Sequence, residues 1–198
     1  MDSWETQGWG IDVNSDSLID LDLYALGART QHKDLFLEVD AMLGLVPRQQ
    51  ALNNVVAGFA NVPNSLVNNP DLANGVKLHI DPLDADTTIP VANWPNKFTD
   101  FDNVKKVYFG TKAQRTSPDS AYILQAKNLV YRYCIFGRSY GVGSDTGSSG
   151  LAELANGLGG NDFMVTLGSS GWAARTGANK IADQSGTLMH EMRNQSPQ

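Results

Sequence analysis

The residues with the most chemistry to offer stand together near the end of the chain. Gly186-Thr187-Leu188-Met189-His190-Glu191 sets an imidazole beside a carboxylate. On a helix, histidines at i and i+4 present both rings to one zinc ion from the same face. A glutamate directly after the first histidine then lies beside the metal-bound water. It takes the proton as that water attacks a peptide carbonyl. In that scheme His190 is the first zinc ligand and Glu191 the general base. Met192 and Arg193 fill the variable positions, and Asn194 stands where the second imidazole belongs. A neutral amide oxygen is a poor substitute, because zinc favours imidazole or thiolate. A third ligand of the extended motif would fall beyond Gln198. Taken alone, a His-Glu pair at a helix end is more often solvated surface than a catalytic centre.

Two other constellations carry chemistry. Asp12, Asn14 and Asp16 occupy alternate positions and are followed by Asp20 and Asp22. Calcium loops use this spacing to converge hard oxygen ligands on one cation, with a backbone carbonyl supplied near Leu18. Ser17 replaces the glycine that permits the sharp turn, and Leu23 stands where a bidentate glutamate would be. Two readings stay open: a weakened calcium site that orders the N-terminal segment, and a solvated acidic loop. Gly137-Arg138-Ser139-Tyr140-Gly141 matches G-x-S-x-G, the nucleophile elbow of serine hydrolases, with Asp162 or Asp183 and then His190 in the matching chain order. That elbow must lead straight into a helix, whereas residues 141–147 are a Gly/Ser-rich loop without an apolar face. The serine hydrolase is therefore the weaker alternative.

The remaining candidates read as structure. Cys134, the only cysteine, sits in the apolar run Tyr131 to Phe136 and reads as a buried small hydrophobe. It excludes a disulfide framework within the chain and a Cys-rich zinc site. His79 lies in an alternating strand, where a structural imidazole is expected. Tight zinc binding would require other residues, Glu153, Asp162 or Asp183, to complete the site.

These residues need elements to position them. Length and composition suit one domain: 198 residues, 41% hydrophobic and 18% charged. The net charge of −6 and the lack of a dense basic cluster argue against nucleic acid and anionic membrane surfaces as partners. No window is long and apolar enough for a membrane span. Met1 to Glu5 lacks the marks of a signal peptide. Residues 1–32 form an Asp-rich segment ahead of a domain over 33–198. Lys33 to Asp40 alternates apolar and acidic residues like a half-buried strand. Pro47 opens a helix with Leu52, Val55, Val56, Phe59 and Ala60 on one face, ended by Pro63. Strands are predicted over 76–82, 128–136 and 161–168. A short helix is predicted over 99–109, with Phe101, Val104, Val107 and Tyr108 inward. Residues 83–98 and 137–160 read as loops. The last helix is predicted to start near Ala182 and to pack Leu188 and Met189 inward. The sum is an α+β (α/β layered) domain, a mixed twisted sheet with packed helices.

Over nearly its whole length the chain resembles a bacterial and archaeal family of zincin-type, metzincin-like zinc metalloproteases. The resemblance is carried, in order, by Asp2 to Thr6, the loop Asp12 to Asp16, His32 to Asp40 and Leu78 to Asp81. It continues through Tyr131 to Cys134, Ser149 to Glu153 and Asn161 to Gly168, and ends at Gly186 to Glu191. The collinearity of these matches is more specific than any short motif. The resemblance implies a zincin-like upper subdomain, zinc-assisted hydrolysis of protein or peptide substrates, and action outside the cell. It implies that the strand 161–168 forms the edge of the substrate cleft. The sequence departs from the family after Glu191: the second and third histidines are absent, as is the lower subdomain. A shift of reading frame after codon 191 would produce so abrupt a loss. The expectation is a truncated or inactive zinc metalloendopeptidase-like domain without stoichiometric zinc or protease activity. The alternative is a non-catalytic, calcium-ordered binding or surface domain.

Overall fold

The computed structural model describes residues 2–81, 89–141, 147–153 and 160–194. Parts of the two predicted loops, 83–98 and 137–160, and the last four residues lie outside them. A 3-10 turn at Asp2–Glu5 precedes β1 (Asp34–Ala41), α1 (Gln49–Ala60), α2 (Asn64–Val67) and β2 (Lys77–Ile80). Then come β3 (Asn93–Trp94), α3 (Phe98–Tyr108), α4 (Lys112–Thr116), α5 (Ser120–Val130) and β4 (Tyr131–Phe136). The chain ends with β5 (Ser139–Tyr140), β6 (Gly150–Ala152), β7 (Asp162–Val165), α6 (Ser170–Ala173) and α7 (Gly177–Asn194).

Five strands form a mixed sheet in the order β2-β1-β4-β7-β6. β1 runs parallel to β2 from Asp34 opposite Lys77 to Leu37 opposite Ile80. β4 runs parallel to β7, with Cys134 opposite Phe163. β6 closes the order antiparallel to β7, with Gly150 opposite Val165 and Ala152 opposite Phe163. β3 and β5 form a separate parallel pair. The α+β expectation is thus met by a mixed sheet with helices, and no helix among the described residues is long and apolar enough to cross a membrane.

The chain divides into two compact units, each built from three segments. One comprises Met1–Leu37, Val56–Ile80 and Gly110–Tyr131. Within it Phe36 stacks on His79 with ring centroids 4.5 Å apart and meets Tyr131 at 5.2 Å. The other comprises Glu38–Val55, Asp81–Phe109 and Arg132–Gln198. Its aromatic core sets Phe101 and Phe109 edge-on to Tyr133 at 5.6 and 5.2 Å, with Trp94 edge-on to Phe101. Such edge-to-face pairs put the positive rim of one ring on the negative face of another.

Several expectations need correction. β1 is not half-buried: Glu38 and Asp40, read as its solvent face, are only 5% and 4% exposed. A strand buried on both faces can keep carboxylates where they accept hydrogen bonds. The strand predicted from residue 128 begins at Tyr131, because Leu129 and Val130 end α5; the β-prone run crosses the boundary without a Gly or Pro to mark it. α4 was not anticipated, although Thr111 and Gln114 cap it reciprocally. The loop predicted over 137–160 holds β5 and β6, too short to show periodicity. Val107, expected inward, is 59% exposed, while Phe109 is buried. α7 starts at Gly177, five residues before Ala182.

Candidate functional site

α7 carries the leading candidates, and its burial follows the helical repeat. Gln184, Thr187, Leu188, Glu191 and Met192 are buried, at the i, i+3, i+4, i+7, i+8 spacing of one face. Met189, expected inward, lies off that stripe at 37% exposure, and Met192 takes the inner place. The stripe lies against β6 and β7. It is held at two further points. The Arg48 backbone amide donates to Gln184 Oε1 at 3.0 Å, and Arg132 Nη1 donates to the Met192 carbonyl at 2.5 Å. A guanidinium at the C-terminal turn of a helix also meets the negative end of its dipole. Burial holds the Arg132 guanidinium below its usual range.

This geometry separates His190 from Glu191. His190 is exposed, whereas Glu191 is 5% exposed on the buried stripe. The Glu191 carboxylate lies against the edge strand: a Cβ built on Gly150 would come within 2.8 Å of its Oε1 and of the Met164 carbonyl oxygen. Only a glycine lets β6 and α7 approach this closely. Burial pushes the Cys134 thiol well above its ordinary range, and the charges of Asp40 and Glu191 push the same way. Cys134 is fully buried, as expected of a small hydrophobe.

The other histidines have carboxylate partners within their own unit. His79 Nε2 pairs with Asp34 Oδ1, and His32 Nδ1 meets Asp71 Oδ2 at 3.0 Å. The structural reading of His79 fits its stacking on Phe36. Asp162 and Asp183, candidates to complete a metal site, are also engaged. Lys105 Nζ meets both oxygens of Asp162 at 2.8 and 2.9 Å, and Arg175 pairs with Asp183. Burial raises the Asp162 carboxyl above its usual range, against the pull of Lys105. Glu153 is raised by burial and then by the charges of Asp162 and Asp102.

The Asp12 to Asp20 loop is closed by an antiparallel bridge between Ile11 and Leu21. Its oxygens turn onto its own backbone. Asp12 accepts from the amides of Ser15 and Ser17 at 2.7 and 2.9 Å, Asn14 from Asp16, Asp16 from Leu18, and Asp20 from Val13. Ser17 adopts φ +71°, so the sharp turn forms without the glycine. Among the described residues, no three His, Cys, Asp or Glu side chains come together as a metal site requires.

Ser139 lies in β5, 1% exposed, and its Oγ donates to Asn93 Oδ1 at 2.7 Å rather than to an imidazole. The residues described after it, Gly141 and 147–149, are not helical.

Sequence reasoning missed one buried pair. The Tyr133 hydroxyl donates to Asp40 Oδ2 at 2.6 Å. Burial and that carboxylate push the Tyr133 phenol well above its ordinary range. The signal was present, since Glu38 and Asp40 in a strand already require either solvent or partners.

His190 offers one strong zinc ligand, and Glu191 faces Gly150 rather than the side of α7 that carries His190. The described residues therefore do not fit a three-ligand zinc centre, and no hydrolytic step follows from them. Comparison with family models, curated proteins and solved structures returned no match to this chain.

Proposed function

We propose that this chain carries the scaffold of a zincin-type metallopeptidase, the upper part of such a domain, without its assembled zinc centre. The observation that carries the reading is the placement of α7. The helix with Met189-His190-Glu191 at its end packs on β7 and on the antiparallel edge strand β6. The collinear sequence resemblance supports the same reading. Residues 161–168, expected to form the cleft edge, hold β7, which is not an edge strand because β4 and β6 pair with it on both sides; in this reading the edge strand β6 would take that role. An edge strand can accept an extended peptide through its main chain. In this chain His190 is the remaining metal-ligand position, Asn194 marks the replaced second ligand, and Glu191 supports the helix from within. We expect the purified protein to show no peptidase activity and no stoichiometric zinc. Metal analysis after dialysis against a weak chelator tests this, and one tightly held zinc per chain would overturn it.

A second reading is a non-catalytic domain ordered by calcium. It is favoured by the closed loop at Asp12, Asn14, Asp16 and Asp20, where oxygens at alternate positions sit in a preformed turn. Calcium at millimolar concentration would then raise the melting temperature of the native chain and leave Asp12→Ala unchanged. An equal response of the two proteins would remove that reading.

A further inference from the structure

We draw no further inference here: the strongest candidate, the open groove of about 540 Å³ beside α6 lined by Gly147, Ser169, Trp172 and Arg175, carries nothing, because its indole N–H is spent on the Gly147 carbonyl, its guanidinium is paired with Asp183, and nothing in the structure shows what would fill it.

Discussion

At the scale of single residues, the candidate site is governed by which face of α7 a side chain occupies. Successive helical residues differ by about 100° in direction, so a motif read as adjacent letters can be split between solvent and core. His190 and Glu191 are split in this way. Gly150 tests the inner half. Gly150→Ala puts a methyl group against the Met164 carbonyl, which is backbone and cannot swing aside. We expect a loss of about 1–3 kcal/mol in urea unfolding, the usual cost of overpacking. An unchanged midpoint would mean that β6 and α7 are further apart. Tyr133→Phe tests the buried pair. It removes a charge-assisted hydrogen bond to Asp40 and should cost about 1.5–3 kcal/mol by the same measurement. Ser139, buried and bonded to Asn93, should resist a fluorophosphonate probe, and labelling there would reopen the serine hydrolase.

At the scale of elements, the edge strand is expected to carry a pH dependence of stability. Glu153 follows β6, and its carboxyl is raised above its ordinary value by burial and by Asp162 and Asp102. A raised folded value means that the folded state holds this proton more tightly than the unfolded chain. The group's stabilising contribution is complete below its unfolded value and is lost as pH rises through the folded one. The native protein should therefore gain stability relative to Glu153→Gln as pH is lowered from 7 toward 4, and parallel curves would refute the placement of Glu153. The legibility of each element followed its length and its signals. β1 and α1 were legible because periodicity runs through them, and α3 was placed within a residue of its start. α5 was hidden because its last residues, Leu129 and Val130, are as strand-like as the Tyr131 that follows. β6 was hidden because three residues cannot show alternation, and its edge position depends on pairing with β7, which no local pattern encodes. The site suffered for the same reason. Its residue types were readable, but the burial of Glu191 depends on a glycine 41 positions earlier, at Gly150.

At the scale of the whole molecule, a mixed sheet with an antiparallel edge and a helix laid on that edge is assembled from segments far apart in the chain. His190 lies on the outer face of α7, off the buried stripe. On the proposed reading, a metal-binding face has lost a ligand while the core beneath it, Leu188 and Met192 on the buried stripe of a helix packed on β6 and β7, is kept. That is the central claim, and replacing Asn194 addresses it directly. Asn194→His places a second imidazole at i+4 from His190, the spacing that brings two rings to one zinc ion. The decisive measurement is a zinc titration by competition with a chromogenic chelator at pH 7.5, on the native protein, Asn194→His, and His190→Ala/Asn194→His. We expect no competitive binding by the native chain, at least about tenfold tighter 1:1 binding by Asn194→His, and loss of that gain in the double variant. Failure of Asn194→His to gain zinc, or tight 1:1 zinc binding by the native chain, would contradict the assignment of this helix.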